Sequence, residues 1–173
     1  MSNRRRRERG FSLIELLIVI AIILILVAIA IPNFQKIMIN GRETSAIGSI
    51  RAINNAQIMY QQSYPQQGFA CTLATLGTQA GAQAGPQSSG LLTDTQLLNG
   101  VKDGYIFTLT CNRAQGQGSG ETAGQNATAT SYLIVASPVT PGKTGNRFFC
   151  SDQPGSIHYS MNANCNPDSD PTT

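Results

Sequence analysis

The chain has 173 residues with 12 basic and 9 acidic side chains, one His and no Trp, and this length permits one domain with an appendage. Five basic residues lie in the first ten positions, so the rest of the chain has seven basic and eight acidic residues and gives no support for a nucleic-acid-binding surface. A single His cannot supply the usual ligand sets of haem or zinc-hydrolase sites, and we expect no metal or cofactor.

A basic leader, residues 1–10, precedes a long apolar segment. Residues 11–31 contain only two polar side chains, Ser12 and Glu15. As a helix at about 1.5 Å per residue, the segment is roughly 31 Å long, which matches the hydrocarbon core of a bilayer. The arginines before it favour a cytoplasmic leader, so we expect the chain after Pro32 to lie across the membrane.

Two ordinary interpretations compete for this segment. A secretory signal would have a shorter apolar core and a cleavage site, for which the small residues just before Pro32 are candidates. A plain single-pass anchor explains everything except Glu15. A carboxylate inside a membrane span costs about 2.5 to 3.5 kcal/mol on insertion scales, so such a residue indicates a function and a partner.

Cleavage between Gly10 and Phe11 would create that partner. It frees an α-amino group with a reference pKa of about 8, four residues before Glu15. The helix dipole also favours a negative charge in the first turn. Between two packed copies, Glu15 of one subunit could neutralise the amine of its neighbour, because pairing offsets the desolvation of both charges.

The sequence around this point, Arg-Gly-Phe-Ser-Leu-Ile-Glu-Leu at residues 9–16, resembles the type III signal of type IV pilins and pseudopilins. The resemblance implies that a prepilin peptidase cuts after Gly10 and N-methylates Phe11. It implies that Glu15, the fifth mature residue, sets subunit register. Pro32 falls where many pilins carry a helix-kinking proline. The resemblance covers the N-terminal segment up to about residue 34.

After Pro32 the pattern becomes amphipathic and predicts that the helix continues to Ser63. A helix over residues 11–63 would be about 80 Å long, with a kink expected at Pro32, which lacks a backbone donor. Apolar residues recur on one face of its outer half, residues 32–63: Ile39, Ala46, Ile47, Ile50, Ile53, Ala56 and Tyr60.

Residues 64–173 are expected to form a globular head. Residues 64–103 have loop-like composition with one short helix at 93–98, at the position of the pilin αβ-loop. From residue 104 onward the pattern favours strands in an antiparallel sheet packed on the helix, which makes the fold α+β. The insert at 112–130 is glycine-rich and predicts a mobile surface loop. About four strands are expected: 105–111, 131–136, 147–150 and 156–160.

Four cysteines lie on the side of the chain expected to be outside, where thiols oxidise. Two disulfides are expected, and the sequence alone allows three connectivities. Resemblance to the disulfide-closed D-region of pilins favours a bond between Cys150 and Cys165, together with one between Cys71 and Cys111 that would tie the αβ-loop to the first strand.

Two metal sites are alternative interpretations, one for the cysteines and one for acidic residues near the C-terminus. Zinc could be held by Cys150, His158 and Cys165, but no C-x-x-C spacing supports it. Calcium could bind acidic residues near the C-terminus, as in some major pseudopilins, although solvated turns are favoured by the neighbouring Pro and Gly residues. The acids concerned are Asp152, Asp168 and Asp170.

The sequence contains no constellation typical of an enzyme. His158 is the sole His, and no nucleophile or orienting acid is placed beside it by the pattern. The glycines of residues 116–120 have no leading strand or following helix, so they predict a flexible loop rather than a phosphate cradle. Residues 126–128 fit a glycosylation sequon, a triplet that is common by chance.

The resemblance therefore implies a structural subunit of a type IV pilus-like filament. The expected partners are further copies of the chain, the bacterial inner membrane, prepilin peptidase and the pilus or type II secretion assembly machinery. The subunit would wait in the inner membrane and end in an extracellular filament or in the periplasm. A type II secretion pseudopilin or minor pilin is the near alternative. An anchored extracytoplasmic binding or enzymatic domain is the alternative from a different class.

Overall fold

A computed structural model describes residues 11–78, 83–113, 128–153 and 155–173 of the chain. The chain divides into two compact units, residues 1–38 and residues 39–173, and each is described separately below. The leader, Gly10 included, lies outside the described residues.

Helix α1 runs from Leu13–Ser63 and belongs to both units. It starts two residues later than predicted, because the Ser12 carbonyl accepts the first helical bonds from the amides of Glu15 and Leu16, at 3.1 and 3.3 Å. Its predicted end at Ser63 is confirmed. Tyr64 follows the last helical residue and precedes Pro65. A residue before proline disfavours the helical backbone, so the helix ends here. The helix continues through Pro32; the predicted kink stays a prediction.

The apolar segment of the first unit is not covered by any residue that the structure describes. Every residue from 11 to 31 is exposed. The side chain of Leu13 is 81% exposed and that of Ile23 is 50% exposed. Among the described residues, α1 is the one helix long and apolar enough to cross a membrane.

In the second unit one face of α1 is buried along its length. The predicted apolar face is confirmed for Ala46, Ile50, Ile53, Ala56 and Tyr60, which are all at most 3% exposed. Ile39 and Ile47 lie at the edge of this face and are half-buried. The same face also buries polar residues that the apolar pattern does not include: Glu43, Ser49, Asn54 and Gln57.

A five-stranded antiparallel sheet packs against that face. The strands follow one another in chain order, so each neighbouring pair is joined directly as in a meander. The predicted α+β class is confirmed, with one strand more than expected. The strands are β1 Val101–Lys102, β2 Tyr105–Arg113, β3 Ala129–Pro138, β4 Phe148–Ser151 and β5 Ile157–Ser160.

The additional strand, β1, is joined to β2 by a two-residue turn. Asp103 and Gly104 both have positive φ angles, 48° and 82°. Two consecutive positive φ values define the type I′ turn that Asp-Gly favours in hairpins. Lys102 pairs with Tyr105 across this turn.

The segment 64–103 contains more structure than the predicted loop with one helix. Helix α2, Leu73–Leu76, was not predicted; Thr72 caps it by accepting a hydrogen bond from the Thr75 amide. Helix α3, Thr95–Leu98, lies within the predicted helix at 93–98, and Asp94 caps it. Hydrophobic periodicity does not detect a helix as short as α2, because one turn has too few positions to show an apolar face.

The predicted surface loop at 112–130 is shorter than expected at both ends, since β2 extends to Arg113 and β3 begins at Ala129. The glycines of 116–120 and Asn126 of the sequon lie outside the described residues.

The core of the second unit forms where α1, α2 and α3 meet the inner face of the sheet. Ile50 and Ile53 of α1 and Ile134 of β3 are fully buried in it. Beyond β5, residues 171–173 run along the outer edge of this strand. The Tyr159 amide donates to the Pro171 carbonyl and the Thr173 amide donates to the Ile157 carbonyl, both at 2.9 Å.

Candidate functional site

The predicted maturation and assembly residues lie at the start of α1. Phe11 precedes the helix and is 77% exposed. Glu15 lies in the first helical turn with its side chain exposed. Within the part of the chain that the structure describes, no cation is within ion-pair distance of the Glu15 carboxylate. The helix dipole favours a carboxylate at this position, but full neutralisation needs a charge from elsewhere.

Glu15 is surrounded along the chain by apolar side chains that nothing in the described residues covers. Ile14, Leu16 and Leu17 are each more than half exposed. Exposed apolar surface of this extent in a folded protein marks a membrane or a protein partner. The arrangement fits a segment whose surroundings are lipid or other copies of the helix.

A second glutamate on α1 has the opposite surroundings. The Glu43 side chain is 4% exposed, and its Oε2 accepts a hydrogen bond from Arg147 Nε at 2.7 Å. Its Oε1 accepts from the backbone amides of Asn146 and Arg147, at 2.8 and 3.3 Å. Three donors on one buried carboxylate satisfy its charge inside the head. They fasten the loop before β4 to α1.

Aromatic rings complete this attachment. The Arg147 guanidinium carbon lies 5.7 Å from the ring centre of Phe149 and 5.5 Å from that of Tyr159. The hydroxyl of Tyr105 donates to the Arg147 carbonyl at 2.9 Å. Burial raises the pKa of Tyr105, and the negative charge of Glu43 raises it further.

A neutral network ties the middle of α1 to the sheet. Tyr132 donates to Asn54 Oδ1 at 3.1 Å, and Asn54 Nδ2 donates to Ser151 Oγ at 2.8 Å. Burial, with the charge of Asp152 as a smaller cause, raises the pKa of Tyr132 to about 12.

Further along, Gln57 bonds both backbone groups of Ala70, donating at 2.7 Å and accepting at 2.9 Å. This pair attaches α1 to the segment before α2. Sequence reasoning missed Glu43, Asn54 and Gln57 because it followed only the apolar members of the helical stripe. Their three- and four-residue spacing from Ala46, Ile50 and Ile53 was the available signal.

Two disulfides close the head. Cys71 is bonded to Cys111, and Cys150 to Cys165. This is the connectivity that the pilin resemblance favours. The first bond joins the segment before α2 to β2, and the second joins β4 to the chain after β5.

The second disulfide leaves no thiolate for the zinc site considered above, since both its sulfur ligands are oxidised. His158 instead donates from Nδ1 to the Asp170 carbonyl at 2.6 Å.

The C-terminal acids take part in a turn, as the ordinary interpretation predicts. Asp170 Oδ2 accepts from the Asn166 amide at 2.7 Å, and Asn166 Oδ1 accepts from the Asp168 amide at 3.0 Å. Short polar side chains that bond nearby amides are typical of such turns. The arrangement gives no further support for a calcium site.

Comparison with known proteins concerns the N-terminal segment that contains Phe11 and Glu15. Residues 5–31 match the family model described as the prokaryotic N-terminal methylation motif. The N-terminal segment therefore carries the methylation motif of prokaryotic prepilins, which confirms the resemblance over this part of the chain. Over 51 residues the chain is 53% identical to the type IV major pilin protein PilA of Myxococcus xanthus (strain DK1622). That match covers 30% of this chain and 23% of the relative. No solved structure matches the chain.

These similarities support a type IV pilin-like subunit, a structural class rather than an enzyme. The methylation motif and the apolar start of α1 fit a membrane-anchored precursor.

Proposed function

We propose that the chain is the structural subunit of a type IV pilus-like extracellular filament. Prepilin peptidase cleaves it after Gly10 and methylates the new terminus at Phe11. The mature subunit waits in the inner membrane with its N-terminus on the cytoplasmic side. The assembly machinery then moves it into a filament whose interior is built from the N-terminal helices of many copies.

The observation that carries this proposal is the isolated carboxylate of Glu15 among exposed apolar side chains. No described residue supplies a counter-charge to Glu15, whereas processing creates an ammonium group four residues away. In a filament the amine of one copy meets Glu15 of a neighbour and fixes the register between them. Contacts between two different surfaces that do not close into a ring extend into a helical filament.

Processing is tested by intact-mass analysis of the membrane-extracted chain. We expect a mass that begins at Phe11 and carries one additional methyl group. The variant Gly10→Val should retain the leader, whereas the matched leader substitution Ser2→Val should be processed normally. A chain that keeps residues 1–10 while the peptidase is active contradicts the proposal.

The role of Glu15 is tested by filament yield. Glu15→Val should leave the subunit inserted in the membrane but absent from sheared filaments, because the register charge is lost. The control variant Ile14→Val places valine at the adjacent position without removing a charge, and its subunits should assemble. Normal assembly of Glu15→Val would contradict the register role.

Electron microscopy with labelled subunits distinguishes the proposed pilus from the near alternative. Long surface fibres that contain the chain throughout support a major pilin. Label only in short periplasmic assemblies or at fibre tips would instead favour a pseudopilin or a minor pilin.

A further inference from the structure

The two disulfides of the head differ in how far solvent reaches them. Cys150 is fully buried and Cys165 is 9% exposed. Cys71 and Cys111 are half-buried, and each has an exposed residue next to it in the chain. Thiol–disulfide exchange requires a thiolate to approach one sulfur of the bond directly, so access to the sulfurs decides which of the two bonds reacts.

The buried disulfide lies within the sheet. Cys150 of β4 is paired with Val135 of β3 on one side and with His158 of β5 on the other. The sulfur of Cys165 lies 3.7 Å from the His158 carbonyl oxygen. A reagent reaches this bond only after the packed structure around β5 opens locally, and such opening costs free energy.

The chain before α2 is attached to the head by contacts that do not involve its disulfide. Gln57 of α1 is fully buried and bonds both backbone groups of Ala70, the residue before Cys71. The rings of Phe69 and Tyr132 lie 4.9 Å apart in an edge-to-face arrangement. These contacts position the backbone of Cys71 even when its sulfur is not bonded.

Backbone hydrogen bonds fix the same segment to the sheet. The Phe69 amide donates to the Ala129 carbonyl at 3.2 Å, and the Ala129 amide donates to the Gln67 carbonyl at 2.9 Å. Cys111 belongs to β2, where it pairs with Tyr132 of β3. Folded structure therefore holds both cysteines of this disulfide, whose Cα atoms are 5.0 Å apart.

We propose that the disulfide between Cys71 and Cys111 is a thiol-reactive site on the folded head, that dithiols are its reagents, and that the disulfide between Cys150 and Cys165 does not react. One thiolate of the dithiol attacks the sulfur of one cysteine, the disulfide breaks, and the other cysteine leaves as a thiolate. The second thiol of the reagent then attacks the mixed disulfide. The reagent leaves as a cyclic disulfide, and its two electrons and two protons remain on the two cysteines as thiols.

A monothiol should give a different result at this site. It forms the same mixed disulfide, but the freed cysteine stays beside it because the fold holds both residues. This neighbouring thiolate has a high effective concentration, so it re-forms the bond before a second monothiol arrives. The site thus distinguishes dithiols from monothiols. It is a property of the head alone and does not depend on the proposed function.

The test is differential labelling of the full chain, extracted in detergent and kept folded. Dithiothreitol is added at about pH 8, where part of it is thiolate, the reaction is stopped with N-ethylmaleimide, and the labelled peptides are mapped by mass. Cys71 and Cys111 should be labelled at least about tenfold faster than Cys150 and Cys165, because the buried bond requires local opening. In denaturant the two pairs should react at similar rates. The monothiol 2-mercaptoethanol, at the same thiol concentration, should leave both pairs unlabelled.

Reoxidation tests whether the contacts around Cys71 hold the two cysteines together. After the dithiol is replaced by oxidised glutathione, the wild-type chain should restore the bond, with its far-ultraviolet circular dichroism unchanged throughout. Gln57→Leu removes both hydrogen bonds to Ala70 and should slow this step about two- to fivefold. Gln62→Leu makes the same change on an exposed residue of α1 and should not slow it.

The labelling rates of the wild-type chain decide the proposal even where a variant does not fold. Equal rates for the two pairs, faster labelling of Cys150 and Cys165, or loss of the folded spectrum when Cys71 and Cys111 are reduced would overturn it. Equal reoxidation rates for the two glutamine variants would overturn the positioning by Gln57. A chain that keeps its leader or forms no filament contradicts the proposed function alone, since these rates depend on the head.

Discussion

The two glutamates of α1 show how differently the two units are stabilised. Glu43 is buried and receives three hydrogen bonds from the head. Glu15 is exposed among uncovered apolar side chains and has no cation beside it in the described structure. The second unit therefore satisfies the charge of its buried glutamate and covers the apolar face of its helix internally. In the first unit no described residue does either, as the proposed function expects of a segment that passes from lipid into a filament.

The disulfides should give the largest effect on the second unit. The bond between Cys71 and Cys111 spans 40 residues and that between Cys150 and Cys165 spans 15. The chain-entropy argument predicts a loss of about 4 kcal/mol when both partners of the first are replaced by Ser, and about 3 kcal/mol for the second. Denaturant unfolding of the variants measures both. A larger loss for the shorter loop would contradict the entropic account.

Matched isoleucine substitutions test the difference between the units directly. Ile53→Ala removes a fully buried side chain and should lower the free energy of unfolding of the head by about 3 kcal/mol. Ile23→Ala makes the same change in the exposed segment and should alter it by less than about 0.5 kcal/mol. Thermal unfolding in one detergent compares them. Equal losses would show that the first unit also contributes to head stability.

Glu43→Gln should destabilise the head by about 2 kcal/mol. The glutamine side chain keeps one oxygen that accepts from the backbone amides of the loop, but it loses the negative charge that faces Arg147. Because Arg147 is partly exposed, water limits the loss of stability. Unfolding measurements on Glu43→Gln, on Arg147→Met and on the double variant give the coupling energy. If the two losses simply add, the ion pair contributes no coupling.

Alkaline pH should have the smallest effect. Tyr132 has a pKa of about 12 in the folded head, so it stays neutral there while the phenol of the unfolded chain ionises near pH ~10. The neutral Tyr132 therefore stabilises the folded head fully below about pH 10. As the pH rises toward 12, the free energy of unfolding falls by a value on the order of 1 to 2 kcal/mol.

Unfolding titrations at several pH values measure this slope, and Tyr132→Phe should reduce it. The slope should not vanish, because burial raises the pKa of Tyr105 and Tyr60 in the same direction. Identical slopes for the variant and the wild type would contradict the assignment to Tyr132.

The sequence predicted those parts of the fold that repeat a pattern over many residues. The helix end at Ser63 and the positions of β2 to β5 followed from periodicity and turn residues. Strand β1 did not, because two residues cannot show alternation, although the Asp-Gly turn after it was a usable hairpin signal. Glu43 was missed since a charged residue on an apolar stripe looks like an interruption until its partner, 104 residues away, is known.

The proposed maturation and assembly residues could be named from the sequence for a different reason. Gly10, Phe11 and Glu15 form a contiguous motif, so their chemistry can be inferred without any tertiary contact. The attachment of the head to the helix joins residues far apart in the chain, and a single sequence carries little information about such pairs.

The covering of β5 by residues 171–173 has a consequence for the proposed filaments where they are crowded. An open edge strand offers free amides and carbonyls to any neighbouring strand. Here that row is occupied, and Pro171 has no amide hydrogen to offer. In the proposed filaments, fibres lying side by side could therefore not pair with β5 itself, and bundles of them could separate again without pulling this strand out of a shared sheet.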